Sequence, residues 1–480
     1  MPSTHRGRYP RRIDTDDPVQ GARWVNAQLA TLLSELGWRP ETFARKLSEH
    51  AQLHGRRASV HPKTPYKWLA GARPRAPWPD LAAALLTAEL ARPITPADLG
   101  WNAAPTGPLL PADSGLDGPW TAEGALRAIA AVTEADPMQR RLFLTLMGTA
   151  ITAPAHQWLL AAGTGDLTHT AGTRIEIGTV EEIDTMTASL RRMDDQLGGG
   201  TLLKMVRAHL RHVLNLLRHG SYDDTTGRRL HASAAELLRL AGWLCFDTSQ
   251  HARAQRYWVA ALRTAHTAGD RALAANVLGF MSCQAKDIGQ PREAAMLADT
   301  AISGYPGAST RVSAILQLRA AEAHAVDGSP TDTRRAIDAA FTHLDSPAEG
   351  APDWSYWLDE THAHGQAGYC YLRLGEHGAA RHHLRAALRN SNGNDSREGA
   401  LRYALLATTY ARQPDPDIDH ALHHADHAVD LLTDQVTSTR VTGHLTTLLS
   451  DLTPYRHRPG VRQLSDRVRA LQAATNSRSA

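Results

Sequence analysis

The segment His61–Arg75, with the sequence HPKTPYKWLAGARPR, carries the side chains best suited to contact a polyanion. A lysine can donate hydrogen bonds to guanine O6 and N7, and a threonine or tyrosine can contact a base or a phosphate. Thr64 can cap a helix, Pro65 fits its first turn, and Gly71 can end it. The pattern predicts a short helix whose first residues contact DNA bases. These predicted contacts are Lys63, Thr64, Tyr66 and Lys67.

Positive charge is concentrated around this segment. Residues 1–101 contain 15 Lys/Arg and 9 Asp/Glu, a balance of +6, whereas the other 379 residues contain 37 and 40, a balance of −3. Only the N-terminal part is therefore expected to meet a polyanion. The residues predicted to contact phosphates beside the helix are Arg45, Lys46, Arg56, Arg57, Arg73 and Arg75. A solvated basic face on a helical domain is the alternative interpretation.

Helical spacing of apolar residues around the basic segment predicts the elements that position it. One apolar face precedes Gly37, which is expected to end the first helix with Trp38 folding back on Leu33. A second helix is expected to begin near Pro40, and Trp68 is expected in the core of the domain. The chain is accordingly divided into a disordered basic arm (1–16), a DNA-binding domain (17–101), a Pro/Gly-rich linker (102–119), a helical connecting region (120–229) and a repeat domain (230–475).

The repeat domain is predicted from small residues at regular spacing in successive helical hairpins. The first small residues of the second helices follow one another at steps of 40, 42, 44 and 41 residues, and they are Ala254, Ala294, Ala336, Ala380 and Ala421. Twelve places earlier the residue is again small in four of five units (Gly242, Ser282, Gly368, Thr409), with His324 as the exception. Small residues at crossing points allow helices to pack closely, which predicts an α-solenoid with a concave face.

Repeat position selects candidates for that concave face. Amide, aromatic and charged groups suit an extended peptide, whose backbone needs hydrogen bonds and whose side chains need apolar pockets. The predicted effector-binding residues are Glu236, Trp243, Asn276, Lys286, His362, Tyr369, Tyr403 and Tyr410. The alternative is that aromatic residues at helical spacing belong to the core between repeats.

Both regions resemble known families. Residues 18–101, with FARKL at Phe43–Leu47 and KWLAG at Lys67–Gly71, resemble an XRE-like helix-turn-helix domain of the lambda-repressor type. Residues 230–475 resemble tetratricopeptide repeats with units longer than usual. The combination resembles regulators of antibiotic production and sporulation in high-GC Gram-positive bacteria, and also peptide-sensing regulators. The resemblance implies an all-α protein that binds double-stranded DNA.

Other classes of protein are disfavoured by what the sequence lacks. It has no apolar run of about 18 residues that could span a membrane, and its three cysteines lie far apart in helical patterns, as in a reduced cytoplasmic protein. Its histidine pairs lack a convergent set of metal ligands. No phosphate loop and no nucleophile–base pair is recognisable, so neither a cofactor nor an enzymatic activity is expected.

The sequence therefore predicts a transcriptional regulator whose repeats bind a regulatory peptide or protein, or join two subunits. A homodimer is expected, because binding to two paired half-sites adds the sequence specificity that one small DNA-binding domain lacks. One alternative is a protein-interaction scaffold whose helix-turn-helix does not bind DNA. Another makes the repeats a dimerisation platform that receives no signal.

Overall fold

The computed structural model divides the chain into two compact units, residues 1–106 and 107–480. It describes residues 26–53, 59–72, 74, 77–90, 94, 96, 98–101, 115–134, 145–197, 199–389, 396–434 and 438–479. The predicted basic arm lies outside these ranges, as do four predicted phosphate contacts, Arg56, Arg57, Arg73 and Arg75. The described residues form 20 α-helices and two strands of two residues each, which confirms the all-α class.

Four helices form the described part of the first unit: α1 (Ala27–Glu35), α2 (Pro40–Leu53), α3 (Thr64–Leu69) and α4 (Trp78–Leu90). Asn26 caps α1 by accepting a hydrogen bond from the Leu29 N–H, and its amide also donates to the Leu99 carbonyl. After α1, Gly37 adopts a positive φ of 64° and the Trp38 N–H donates to the Leu33 carbonyl at 2.8 Å, as predicted.

Aromatic rings hold α3 against the rest of this unit. Trp68 is buried, with its ring edge-on to Phe43 at 6.3 Å and to Trp101 at 5.3 Å between centroids. Pro65 and Leu69 are buried on the same side of α3. This placement leaves the opposite side of the helix, with Lys63 before it and Lys67 within it, exposed.

The second unit begins with helices that precede the regular hairpins: α5 (Ala122–Thr133), α6 (Thr149–Leu160), α7 (Ile177–Leu197) and α8 (Gly199–His219). Strands β1 (Thr173–Arg174) and β2 (Gly220–Ser221) pair in parallel over two residues.

Six helical hairpins follow, each made of consecutive helices packed against one another. Their helices are α9 (Asp224–Asp247) with α10 (His251–Ala268), α11 (Arg271–Asp287) with α12 (Pro291–Gly304), α13 (Thr310–Asp327) with α14 (Pro330–Leu344), α15 (Glu360–Arg373) with α16 (His377–Arg389), α17 (Ser396–Arg412) with α18 (Ile418–Asp434), and α19 (Thr439–Asp451) with α20 (Pro459–Ser479). The first helix of each hairpin also packs on the first helix of the next, giving a solenoid-like stack.

The small residues lie where the two helices of a hairpin cross. A Cβ added to Gly368 would lie 2.6 Å from Leu384 Cγ, so α15 and α16 pack there without room for a side chain. The Gly242 position is blocked in the same way by the Trp258 ring. In the second hairpin, Ser282 Oγ donates to the Ala294 carbonyl at 2.7 Å. Close packing of helices thus accounts for the repeat pattern in the sequence.

The predicted linker and connecting region are more closely joined to the hairpins than the sequence indicated. Leu116, within the predicted linker, is fully buried in the core of the second unit, and Arg263 of α10 donates to the Gly118 carbonyl. Helices α5–α8 share one continuous hydrophobic core with the first hairpins. The reason is that α5 and α8 carry apolar faces that need a partner, and α9 and α10 supply one. No helix in the described ranges combines the length and apolar character needed to cross a membrane.

Candidate functional site

A cavity of about 620 Å³ lies along the first helices of the hairpins in the second unit. Side chains from α9, α11, α13, α15, α17 and α19 line it, together with part of α7 and the 3-10 turn Asp353–Ser355. Volumes between about 300 and 1,000 Å³ are typical of sites for small molecules. The cavity therefore has the position expected of a concave face and the size of a ligand site.

Cations and aromatic rings dominate the wall. The described lining includes eight cations: Arg191, Arg192, Arg239, Lys286, Arg319, Arg397, Arg402 and Arg440. Four carboxylates accompany them: Asp194, Asp287, Glu322 and Glu398. The aromatic lining residues are Trp243, Phe280, Trp354, Tyr356, Trp357 and Tyr369. The charge of the lining side chains is +4, since eight cations exceed four carboxylates by four.

A buried charge cluster forms the floor of the cavity. Lys286 Nζ lies 3.0 Å from a carboxylate oxygen of Glu322, and Arg319 lies 3.5 Å from the other oxygen. Burial alone would lower the pKa of Lys286, but Asp287 and Glu322 outweigh it and hold the pKa well above its usual value. Burial would likewise raise the pKa of Glu322, but Lys286 and Arg319 lower it instead. Lys286 and Glu322 are therefore both charged at neutral pH.

One side of the cavity is covered by α7 and the 3-10 turn. The guanidinium of Arg191, from α7, forms ion pairs with Glu236 of α9 and with Asp353 of the turn. The same turn carries Trp354, which is 5% exposed, and it leads directly to Trp357. Arg191 thus joins three segments that are distant in the chain, α7, α9 and the 3-10 turn, on this side of the cavity.

The end of the stack returns to its beginning. Arg397 of α17 lies 3.9 Å from Asp194 of α7 and 3.8 Å from Asp247 of α9. The Arg440 guanidinium, from α19, lies 5.9 Å from the centre of the Trp243 ring and binds Glu398 at 3.0 Å. The hairpins therefore curve around the cavity until the fifth and sixth contact the first.

Aromatic rings orient several of the cations. The Arg319 guanidinium lies 5.6 Å from the Phe280 ring centre and 5.7 Å from that of Trp357. Lys286 Nζ lies 4.4 Å from the ring centre of Tyr369. Burial lowers the pKa of the nearby His444 to about 4, so this imidazole is neutral at neutral pH. The wall thus presents fixed cations interleaved with ring faces.

Four of the eight residues predicted for the concave face line this cavity: Trp243, Lys286, His362 and Tyr369. Glu236 lies behind the wall as the partner of Arg191. Asn276 is only 3% exposed and is packed within the core rather than in the lining.

Tyr403 and Tyr410 face away from the cavity and pack against histidines of α18. The Tyr403 ring stacks on His424 at 6.1 Å, and the Tyr410 ring stacks on His420 at 5.1 Å. The residues of α17 that line the cavity are Arg397, Glu398, Leu401, Arg402 and Leu405. The face of α17 that lines the cavity is therefore not the face predicted from the repeat spacing. That spacing follows the crossing of α17 with α18 and does not report which face points to the cavity.

The arginines that line the cavity were not among the residues predicted from the sequence. Arg239 and Arg319 each stand between apolar residues in the first helix of a hairpin, in LLRLAG and LQLRAA. A charged residue inside such an apolar stretch is a signal of a buried, partnered group. That signal could have found these two residues, whereas the contributions of α7 and the 3-10 turn depend on contacts between distant segments.

The described residues contain no group of three or more His, Cys, Asp or Glu side chains placed to hold a metal ion. Cys245, Cys283 and Cys370 are free and buried. Burial raises the pKa of Cys245 to about 12, which leaves its thiol protonated.

The candidate DNA-contacting side chains of the first unit differ in their surroundings. Lys63 and Lys67 are exposed and form no ion pair with the described residues, and Thr64 is half-buried. Tyr66 donates to Glu41 at 2.5 Å, an interaction that lowers the pKa of Glu41 and raises that of Tyr66.

Two of the predicted phosphate contacts have acidic partners. Arg45 pairs with Glu49 at 2.7 Å, and Lys46 pairs with Glu89 at 2.8 Å while lying over the Trp38 ring. These pairs are at least partly exposed, so they can exchange a carboxylate for another anion at small cost. Among the predicted contacts that the structure describes, Lys63 and Lys67 are cations that need no such exchange.

Comparison with protein families gives one match in this region. A family model described as the SP15 N-terminal domain matches residues 29–102, which contain most of α1 and all of α2–α4. No curated protein matches the sequence. The matched segment is a small part of the chain, and it coincides with most of the first unit.

Proposed function

We propose that this protein is a DNA-binding transcriptional regulator whose second unit binds a regulatory ligand in the cavity. The observation that carries the proposal is the exposure of Lys63 and Lys67 on one side of α3, while Trp68 and Leu69 anchor the other side in the core. An anchored helix that exposes one lysine just before its first residue and another in its last turn suits insertion into the major groove. The resemblance to XRE-like domains and tetratricopeptide repeats supports the same function.

A homodimer belongs to this proposal. Helix α3 contains only six residues, so one copy can reach few base edges. Two copies on paired half-sites would double the contacts and supply the specificity that one copy lacks.

The experiment compares the native protein with the double variant Lys63→Ala/Lys67→Ala on genomic fragments recovered with the native protein. Each cation lost from a DNA interface lowers the slope of log affinity against log salt by about 0.9, so we expect a fall of up to about 2 together with a large loss of affinity. The matched control is Lys204→Ala/Arg211→Ala, which removes two exposed charges from α8 in the second unit. Equal losses of DNA affinity in the two double variants would contradict the proposal that α3 contacts DNA.

One observation favours a second candidate function. Arg45, Lys46 and Tyr66 all have carboxylate partners within the first unit, which is the arrangement expected of a self-contained scaffold domain. If the native protein recovers no genomic fragment at low salt, the interaction scaffold is the better interpretation.

A further inference from the structure

We propose that the cavity binds a compact anionic ligand, in which a planar ring is joined to a carboxylate or phosphate group. The inference rests on the proposed function, since it names the chemistry of the regulatory ligand for the same cavity. It also replaces the extended peptide that the sequence suggested with a small molecule.

The shape of the cavity favours a compact ligand. An extended peptide needs a groove that is open along its length, so that the chain can enter and leave at both ends. Here Arg191, Glu236 and Asp353 join α7, α9 and the 3-10 turn over one side, and Arg397 connects the end of the stack to its start. A space of about 620 Å³ that is bounded by these contacts suits a molecule of small-ligand size.

The charge of the wall favours an anion. The lining side chains carry +4, although three more carboxylates (Glu236, Asp247 and Asp353) pair with lining arginines from behind or beside the wall. These carboxylates compensate the guanidiniums without occupying the cavity. A ligand inside the cavity would therefore meet mainly cations.

Several of these cations retain capacity to donate hydrogen bonds. Arg397 is 13% exposed, and its carboxylate partners lie at 3.8 and 3.9 Å, beyond hydrogen-bond distance. Arg319 is 11% exposed and approaches Glu322 only at 3.5 Å, whereas Lys286 already binds Glu322 at 3.0 Å. A guanidinium has five N–H donors in a planar fork that matches a carboxylate or phosphate.

The aromatic residues supply the place for a ring. Trp354 is 5% exposed and lines the cavity, and its indole N–H has no acceptor among the described residues. The part of the ring that lines the cavity offers an apolar surface against which a planar ligand can pack. Trp357 and Phe280 flank Arg319, so a ring bound near them would place its anionic group beside the guanidinium.

The test uses two fluorescent probes of nearly equal shape. The anion 8-anilinonaphthalene-1-sulfonate carries rings and a sulfonate, and N-phenyl-1-naphthylamine is its neutral counterpart. We expect the full-length protein to bind one sulfonate probe per chain, at least about tenfold more tightly than the neutral probe. Arg319→Gln should weaken the sulfonate probe by about tenfold and leave the neutral probe within about twofold, because one charge-assisted hydrogen bond is lost.

Two further variants separate charge from folding. Arg319→Lys keeps the charge but loses the fork, so the sulfonate probe should bind with intermediate affinity. Arg335→Gln removes an arginine of α14 that is 72% exposed, and it should change neither probe. Thermal unfolding of each variant identifies any loss of fold, and Arg319→Lys carries the test if Arg319→Gln does not fold.

The source of the anionic group is then found by displacement of the sulfonate probe. Displacement by aromatic carboxylates but not by nucleoside phosphates assigns a carboxylate ligand, and the reverse assigns a phosphate. Equal affinity for both probes, no saturable binding, or unchanged sulfonate binding in Arg319→Gln would each overturn the proposal. Binding of genomic DNA is measured separately on the same samples without a probe. A cavity that binds no anion can therefore be distinguished from a protein that binds no DNA.

Discussion

The Arg191 guanidinium binds the carboxylate of Glu236 behind the wall of the cavity, and this pair joins α7 to α9. Arg191 is 6% exposed and Glu236 is 15% exposed, so both charges are largely removed from water. Burial of a charge is tolerated only when a partner compensates it. Breaking this ion pair would leave a buried charge uncompensated. The pair therefore stabilises the covered side of the cavity.

Substitution of Arg191 by methionine should lower the free energy of unfolding by about 3 kcal/mol, because the buried Glu236 carboxylate would lose its closest partner and keep only Arg239, 3.9 Å away. Urea denaturation measures this change. The matched control is Arg192→Met in the next position, where the side chain is 60% exposed and the change should stay within about 0.5 kcal/mol. The double variant Arg191→Met/Glu236→Met should recover part of the loss. A double variant less stable than Arg191→Met would contradict this account of the pair.

Gly368→Ala should destabilise the second unit by about 1–3 kcal/mol, because the new methyl group would overlap Leu384 in the crossing of α15 and α16. Leu384 is fully buried, so any shift of its side chain must also displace neighbouring core residues. Gly378→Ala in the first turn of α16 is the control, since nothing lies within 4 Å of the added Cβ. It should be neutral or stabilise by up to about 1 kcal/mol, as alanine favours a helix over glycine. Thermal unfolding would show opposite signs, and equal shifts would argue against close packing at Gly368.

Stability should fall as the pH is lowered from about 6.5 to about 4, partly through His231 of α9. Burial lowers the pKa of His231 to about 4, and it lies fully inside the core with its ring hydrogen-bonded to the Gly227 carbonyl. The unfolded chain, with a histidine pKa of about 6.5, binds the proton in this window while the folded chain does not. The contribution is on the order of 3 kcal/mol and is fully present above about pH 6.5.

Replacement of His231 by phenylalanine should flatten the pH dependence of the unfolding free energy between pH 4 and 6.5. Some dependence should remain, because burial also lowers the pKa values of His383, His424 and His444 to about 4. His457→Gln alters an exposed histidine and should leave the profile unchanged. A His231→Phe profile identical to that of the native protein would show that this group does not titrate on unfolding.

The helices and their crossings were predictable because they follow local rules. The second helix was expected to begin near Pro40, and α2 begins at that residue. Helical periodicity and small crossing residues such as Gly368 are both visible within one or two turns of chain. The Gly37 turn after α1 was predicted on the same local basis.

The cavity was only partly predictable, because its wall depends on contacts between distant segments. Trp243 and Tyr369 could be placed by repeat position, since each follows the register of its own hairpin. Tyr403 could not, because α17 is rotated and presents Leu401 and Arg402 instead. The covering side requires Arg191 to meet Asp353, and nothing local to either residue indicates that contact.

The return of the stack to its start has a consequence for how the second unit unfolds. In an open stack of hairpins, stability is a sum over neighbours, and the terminal hairpins can separate first. Arg397 and Arg440 connect the fifth and sixth hairpins to α7 and α9, so these terminal hairpins are also held by partners far away in the chain. Opening at either end must break contacts at both. The hairpins of the second unit should therefore unfold together in one cooperative transition.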